Sequence, residues 1–302
     1  PEVVRTINED HFNPRYLSDA KLSEAVLATT SHEEALADAQ AVVVVTPSSI
    51  LREVARALAP LVSENLPVVI CSKGVEEGSG RLPIEVMAEE MGASSRFAVL
   101  SGPNHAEEIV RGVPAATVIA SSSAETATFF QELFATEAFR TYTSDDVCGV
   151  ELCAAFKNVI AIAVGASYGM GYGDNTAALL LTRGLAEMSR LVVACGGQAL
   201  TCMGLAGTGD MVATCMSRHS RNRRFGEMLS QGKTLGDFKA ETHMVVEGAL
   251  ACRNIATLAE REGVELPIAN VVRSIVWECA DARAAAASLA RRPLKMEFYG
   301  LE

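Results

Sequence analysis

The sequence predicts a chain of two parts: an α/β part with a parallel sheet over residues 1–143, and an all-α part over residues 144–302. In the first part, short apolar runs alternate with helical patterns, as in parallel sheets that helices cover on both faces. Past Thr143 the strand patterns stop, and alanine, leucine and methionine recur at helical spacing. The boundary between the two parts is therefore predicted near Thr143.

Strands are predicted at five short apolar runs, which are Ala41–Thr46, Pro67–Ser72, Phe97–Ser101, Ala115–Ala120 and Phe139–Thr143. Helical patterns lie between them at Leu51–Val62, Leu82–Met91 and Glu125–Phe134. In the all-α part, helical patterns cover Asn175–Cys195, Arg221–Leu229, Met244–Arg261 and Ile268–Arg291.

Three of the predicted strands end in groups that suit a ligand: Pro47-Ser48-Ser49, Lys73-Gly74 and Gly102-Pro103-Asn104. In a parallel sheet, ligands bind beyond the carboxyl ends of the strands. Glycine lets the backbone approach a ligand, and lysine supplies a positive charge. Each group alone could be an ordinary turn, but three in register favour a binding site.

The sequence contains glycine-rich stretches, but none in the position of a dinucleotide fingerprint. Such a sheet opens with a strand, the pattern G-x-G-x-x-G and a helix, whereas residues 169–174 and 204–210 lie among helical patterns. The first strand is central in a doubly wound sheet. We therefore expect a further βα unit to precede Pro1 in a longer protein, and the residue that separates NAD from NADP to lie in that unit.

Composition, net charge and the cysteine and histidine patterns exclude several classes of protein and of binding site. The chain has 302 residues, of which 49% are hydrophobic, so a large core is available. Its net charge of -11 argues against nucleic acid as a partner, and no apolar run approaches the roughly 18 residues of a membrane span. Eight cysteines without a C-x-x-C pair are typical of reduced thiols in a cytoplasmic protein. The five histidines have no metal-ligand spacing, so no metal site is predicted.

The segment 145–169 predicts a long helix that is buried on most sides, and Lys157 and Asn158 interrupt its apolar surface. At helical spacing, the face that carries Lys157 also carries Val150, Ala154, Ala161 and Val164. The ammonium group therefore either reaches a cavity or a buried partner, or follows its own stem to the surface. Burial would lower its pKa and suit it to acid/base chemistry near neutral pH. The adjacent Asn158 favours a site.

Polar groups in the all-α part suggest a second binding feature. The densest basic run, residues 220–224, begins with Ser220, Arg221 and Asn222 at a predicted helix start. Arginine, hydroxyl and amide groups there suit a phosphate, although a solvated helix face is the alternative. Asp210 follows a glycine run and either caps a short helix or orients the lysine. Glu247 lies beside valines and could equally be an exposed helical residue.

Seven motifs follow one another along nearly the whole chain: SKGVE at 72–76, SGPNHAEE at 101–108, FKNVIAI at 156–162, TRGLAEMSRL at 182–191, GTGDMVATC at 207–215, SRNRRFG at 220–226 and VVEG at 245–248. In this order they resemble the bacterial-type NAD(P)-dependent glycerol-3-phosphate dehydrogenases. The resemblance continues to RRPLKME at 291–297.

The resemblance implies a Rossmann-type dinucleotide-binding domain over 1–143, incomplete at its N-terminus, and a helical substrate domain over 144–302, usually in a homodimer. The implied reaction interconverts sn-glycerol 3-phosphate and dihydroxyacetone phosphate with NAD or NADP, for phospholipid synthesis. Lys157 would be the catalytic proton donor and acceptor. The implied substrate-binding residues are Lys73, Gly102, Asn104, Lys157, Asp210, Ser220, Arg221 and Asn222, and the implied cofactor-binding residues are Lys73, Ala106, Arg221, Val245 and Glu247.

From the residues alone, two rival functions remain open. One is a related dehydrogenase acting on a hydroxy acid, in which the basic run would hold a carboxylate. The other is a non-catalytic nucleotide-binding sensor in which Lys157 is structural.

Overall fold

The structure is a computed structural model that describes residues 2–18, 20–92, 94–242, 245–297 and 299–300. Five strands form one sheet in the order β1-β2-β3-β4-β5. They are β1 at Val42–Val44, β2 at Val68–Ile70, β3 at Phe97–Ser101, β4 at Ala115–Ala120 and β5 at Phe139–Ser144. Each overlaps one of the runs predicted from the sequence, so the five strand predictions are confirmed.

The sheet is mostly but not entirely parallel. Strands β1, β2 and β3 run parallel, as do β4 and β5, but β3 and β4 are antiparallel. The predicted parallel sheet is therefore confirmed as a parallel-dominant sheet, and the β3–β4 pair is where it departs from the pattern. A parallel pair needs a crossover connection that returns the chain to the same end of the sheet, whereas the β3–β4 connection contains only the one-turn helix α5 (Ala106–Ile109).

Further helices flank the strands: α1 at Glu2–Asp10, α2 at His32–Leu36, α3 at Leu51–Leu58, α4 at Pro83–Met91 and α6 at Ala124–Phe134. Side chains on the two faces of the sheet enter different cores. On one face, Val68 and Ile70 belong to the main core that continues into the helical part. On the other, Val69 packs with Ile119 and Phe130 of α6.

The second part of the chain is helical: α7 at Val147–Gly169, α8 at Asp174–Ala194, α9 at Asp210–Met216, α10 at Arg221–Leu229, α11 at Leu235–Thr242, α12 at Glu247–Glu262, α13 at Pro267–Trp277 and α14 at Ala282–Ala290. The single helix predicted over 268–291 is wrong, because Cys279 has a φ of 55° and the Asp281 carboxylate caps a new helix by accepting from Ala284 N. Met244, the predicted start of the helix before it, lies outside the described residues.

Helix α7 is the centre of this part, and α8, α9, α10 and α12 all pack against it. By length and composition it is the one helix among the described residues that could cross a membrane, which corrects the expectation that no stretch approaches that length. Most of it is buried inside the protein. Contact with the surrounding helices therefore accounts for its apolar composition.

Candidate functional site

Helix α7 carries Lys157 into the protein interior. The helix begins where the Asp146 carboxylate accepts a hydrogen bond from Gly149 N at 2.9 Å. Lys157 is only 7% exposed, and the four residues predicted to share its face are all buried. The sequence-based alternative in which Lys157 reaches the surface along its own stem is therefore wrong.

The ammonium group of Lys157 has a buried carboxylate partner. Lys157 Nζ donates to Asp210 Oδ1 at 2.5 Å and to Thr214 Oγ1 at 2.9 Å. The other carboxylate oxygen, Asp210 Oδ2, accepts from Lys73 Nζ at 2.7 Å. We call these four residues, Lys73, Lys157, Asp210 and Thr214, the lysine–aspartate cluster.

Three chain segments bring this cluster together. Asp210 is the first residue of α9 and follows a π-helical turn over Leu205–Gly209. One helical turn later, Thr214 lies on the same face of α9. Lys73 lies in the loop after β2, which Asn254 of α12 holds through a 2.6 Å hydrogen bond to the Val75 carbonyl. Of the two alternatives for Asp210, the structure shows the contact with Lys157, and Gly209 rather than Asp210 is the N-cap of α9.

Electrostatics in the cluster favour a proton-transfer role for Lys157. Burial, and then the nearby charge of Lys73, lower the pKa of Lys157 to about 8, while Asp210 opposes that shift. Burial alone would raise the pKa of Asp210, but Lys73 and Lys157 together outweigh it and hold that pKa below its usual value. Near neutral pH the cluster therefore holds an ionised carboxylate beside an ammonium that loses its proton readily.

Two glycines let α10 approach α7 at backbone contact. A Cβ atom on Gly165 would lie 2.0 Å from the Arg223 carbonyl oxygen, and one on Gly226 would lie 2.1 Å from the Ile162 carbonyl oxygen. No larger residue fits at either position without moving the helices apart. This close crossing brings the first turn of α10 beside Asn158.

A chain of amide hydrogen bonds joins three helices next to Lys157. Asn222 Nδ2 donates to Asn158 Oδ1 at 2.9 Å, and Asn222 Oδ1 accepts from Gly248 N at 3.0 Å. Gly248 is the second residue of α12. These hydrogen bonds fix the predicted site residue Asn222 between α7 and α12. Its partner on α7, Asn158, is the residue that follows Lys157.

The remaining residues of the basic run differ in their surroundings. Ser220 caps α10 by accepting from Arg223 N at 3.2 Å. The Arg223 guanidinium pairs with Glu227 and stacks on Tyr168, so it has structural partners. Arg221 is exposed, and among the described residues its guanidinium has no hydrogen bond or ion pair. Arg224 is likewise exposed and, among the described residues, unpaired, so Arg221 and Arg224 are the arginines of α10 that are available to an anion, and Arg221 is the one next to Asn222.

Two predicted residues lie where β3 ends. A Cβ on Gly102 would be 3.0 Å from the Ala116 carbonyl oxygen, so the neighbouring strand leaves little room for a side chain there. Asn104 Nδ2 donates to Thr117 Oγ1 at 2.9 Å. Within the described ranges, Asn104 Oδ1 is buried and has no hydrogen-bond donor. The carbonyl of Asn104 is therefore a free acceptor.

The structure does not join every predicted residue to the cluster. Ala106 and Val245 are exposed, and Glu247 is half-buried at the start of α12. In the part of the chain that the structure describes, the Glu247 carboxylate makes no hydrogen bond or ion pair. Sequence reasoning assigned no role to Thr214. Its position four residues after Asp210, on the same helix face, is the signal that could have identified it.

Family models match both parts of the chain. The model for the N-terminus of NAD-dependent glycerol-3-phosphate dehydrogenase matches residues 1–127, and the model for its C-terminus matches residues 146–287. Together these matches place the chain among two-part dehydrogenases in which a helical unit follows the sheet.

Individual relatives agree with the family models. A glycerol-3-phosphate dehydrogenase (NAD(P)+) of Pelotomaculum thermopropionicum is 46% identical over 92% of this chain and 80% of its own length. One from a Parafrankia species is 48% identical over 91% of this chain and 83% of its own. The crystal structure of a glycerol-3-phosphate dehydrogenase from Coxiella burnetii has a TM-score of 0.92 and 35% identity, covering 96% of this chain and 89% of that one. The protein belongs to the NAD-dependent glycerol-3-phosphate dehydrogenase family.

Proposed function

We propose that this protein interconverts sn-glycerol 3-phosphate and dihydroxyacetone phosphate by hydride transfer with NAD or NADP, and so supplies glycerophospholipid synthesis. Its family supports this chemistry. The single observation that carries the proposal is the lysine–aspartate cluster, in which a buried Lys157 has its pKa lowered to about 8. A group with that pKa can both give and accept a proton near neutral pH.

The carboxyl edge of the sheet fits a dinucleotide. A Cβ on Gly74 would lie 2.7 Å from Ser48 Oγ, and Gly102 is similarly confined, so both strand ends present backbone without side chains. The residues that would hold the cofactor are Lys73, Ala106, Arg221, Val245 and Glu247. When bound, the nicotinamide supplies or accepts the hydride.

Lys157 is proposed to be the catalytic acid and base. An ammonium group has three N–H donors, and two of those of Lys157 are directed to Asp210 and Thr214. The third remains for the substrate oxygen. In the reducing direction Lys157 protonates the developing alkoxide, and in the oxidising direction its neutral amine accepts the hydroxyl proton.

Arg221, Ser220 and Asn222 are proposed to hold the substrate phosphate. The Arg221 guanidinium is unpaired within the described residues, the Ser220 hydroxyl can still donate, and Asn222 keeps one free N–H. Holding the phosphate at the start of α10 positions the reacting carbon near Lys157. Lys73, Gly102 and Asn104 complete the substrate site, and the free Asn104 carbonyl would accept from a substrate hydroxyl.

We also propose the larger organisation of the protein. The dinucleotide-binding part extends over residues 1–143 and the substrate part over 144–302, which agrees with α7 beginning at Val147. A cytoplasmic homodimer is proposed from the family resemblance alone.

Oxidation of NADH and of NADPH with different carbonyl substrates tests the function. We expect turnover with dihydroxyacetone phosphate, far less with unphosphorylated dihydroxyacetone, and none with 2-keto acids. Preference for a 2-keto acid would favour the hydroxy-acid dehydrogenase. Cofactor binding without turnover of any substrate would favour the nucleotide-binding sensor.

Arg221→Ala tests the phosphate contact. Because a charge-assisted hydrogen bond contributes about 1.5–3 kcal/mol, we expect the KM for dihydroxyacetone phosphate to rise roughly tenfold or more. Arg291→Ala, which removes an exposed arginine after α14, is the matched control and should leave KM unchanged. An equal loss of kcat/KM for dihydroxyacetone would show that Arg221 does not contact the phosphate.

A further inference from the structure

A second concave site lies in the helical part. A partly open cavity of about 890 Å³ is lined by α7, α8, α13, α14, one residue of α10, residues 292–297 and Tyr299. Its apolar wall includes Met170, Leu179, Leu180, Leu229, Val271 and Ile275. It contains no member of the lysine–aspartate cluster, and its volume lies in the range of small-molecule sites.

The polar part of the lining is mainly cationic. Its basic side chains are Arg183, Arg190, Arg292 and Lys295, and its carboxylates are Glu187 and Glu297. This excess of cations occurs in a chain whose net charge is -11. The Glu265 carboxylate pairs with Arg292 and Lys295 and offsets part of this excess, and the remaining positive charge favours an anion although the protein as a whole repels one.

Arg190 is buried in this lining and incompletely paired. It is 6% exposed, and its Nη2 atom donates to the Glu265 carbonyl at 3.1 Å. Among the described residues, its Nε and Nη1 atoms are buried without an acceptor. An unsatisfied buried donor costs about 1–3 kcal/mol, so a ligand that offers a charged acceptor oxygen to one of these donors would bind favourably here.

The segment after α14 covers this guanidinium. The Tyr299 ring lies over Arg190 at 4.5 Å and under Lys295 at 4.3 Å. The Glu297 carbonyl accepts from Arg183 at 2.6 Å. The contact with Arg190 is a ring face, which supplies no hydrogen-bond acceptor in the guanidinium plane. A carboxylate oxygen that reaches either Nε or Nη1 would satisfy that donor with a charge-assisted hydrogen bond.

We propose that this cavity binds a single-chain anionic amphiphile, with its carboxylate on Arg190 and its hydrocarbon chain along the apolar wall between α8 and α13. The simplest such ligand is a long-chain fatty acid. The apolar wall suits the hydrocarbon chain of this molecule, and the buried cation suits its carboxylate. A polar metabolite would not fill the apolar wall, and a neutral lipid would leave Arg190 without a charged partner.

Equilibrium dialysis of the full chain with radiolabelled hexadecanoate tests the proposal, with labelled hexadecan-1-ol as the neutral probe. We expect saturable binding of hexadecanoate. We expect Arg190→Met to weaken it roughly tenfold or more, because a charge-assisted hydrogen bond worth about 1.5–3 kcal/mol is lost, and to leave hexadecan-1-ol binding unchanged. Ala286→Phe, which fills the cavity from α14, should weaken both probes. Melting temperatures of both variants establish that they are folded.

Lys157→Ala is the control that separates the two sites. Hexadecanoate should bind this variant as tightly as it binds the unchanged protein. Absence of saturable binding, equal binding by Arg190→Met, or loss of binding in Lys157→Ala would each overturn the proposal. All of these readouts are independent of turnover, so they do not depend on the dehydrogenase activity.

Discussion

Lys157 and Arg190 are both buried cations of the helical part, with 7% and 6% exposure, yet their surroundings are opposite. Lys157 contacts a carboxylate oxygen and a hydroxyl oxygen. Arg190 contacts one backbone carbonyl and an aromatic face, and two of its donors have no acceptor among the described residues. The Lys157 ammonium therefore has acceptors for its hydrogen bonds, whereas Arg190 has two donors that remain available to a ligand.

The difference shows how burial serves two functions. At Lys157, burial lowers the pKa, and Asp210 limits that shift so that the group titrates near neutral pH. An arginine keeps its charge under all ordinary conditions, so the same burial at Arg190 produces a permanent positive charge with free donors. The first arrangement suits proton transfer, and the second suits recognition of an anion.

The largest loss of stability is expected when the lysine–aspartate cluster loses its shared carboxylate, Asp210. Asp210→Asn leaves Lys73 and Lys157 close together without their shared carboxylate. Because removing one partner of a buried ion pair costs about 3–5 kcal/mol, we expect a comparable loss in the free energy of unfolding. Urea denaturation followed by fluorescence of Trp277, the single tryptophan, measures it. Asp10→Asn, at the exposed end of α1, is the control, and equal stability of the two variants would contradict the network.

Removing the cation of that network should abolish most of the activity. Lys157→Ala eliminates the proposed proton donor, so kcat should fall at least about 10²-fold, the lower end for general acid/base catalysis. The variant should still bind NADH and unfold cooperatively. Lys239→Ala removes an exposed lysine of α11 and should keep full activity. Turnover near the original rate in Lys157→Ala would exclude Lys157 from the mechanism.

The pH dependence of the reaction gives a finer test of the same residue. With the pKa of Lys157 lowered to about 8, its ammonium form predominates below that pH and its amine form above. We expect kcat/KM for ketone reduction to be level below about pH 8 and to fall about tenfold per unit above it. In the oxidising direction kcat/KM should rise towards pH 8 and then level off. Parallel profiles in the two directions would contradict the assignment.

Local patterns predicted more of this molecule than long-range contacts did. The five strands follow from apolar runs, and helical spacing placed Lys157 on an apolar face of α7 while leaving open whether its ammonium is buried. The contact between Lys73 and Asp210 was not predicted, because these residues are separated by 137 positions in the chain and meet only when the loop after β2 lies beside the start of α9. The antiparallel β3–β4 pair depends on the length of a connection, and the break at Cys279 depends on one backbone angle. The cavity around Arg190 combines helices that are far apart in the chain, so no local pattern indicates it.

The smallest loss of stability is expected for a substitution of Arg190, the incompletely paired cation, and this loss should depend on pH. Arg190→Met loses one hydrogen bond, worth about 1 kcal/mol, and removes two unsatisfied donors that each cost about as much.

Burial raises the pKa of the neighbouring Glu187 to about 7, against the lowering influence of the Ile268 and Ala269 amides and of Arg190. At pH 6 most Glu187 is protonated and needs no cation, so the variant should be within about 1 kcal/mol of the unchanged protein, or more stable. At pH 8 Glu187 is ionised and loses the favourable charge of Arg190, so Arg190→Met should become less stable relative to the unchanged protein. Urea denaturation at the two pH values measures the difference, and a loss at pH 6 as large as that of Asp210→Asn would show that Arg190 is a structural cation like Lys157.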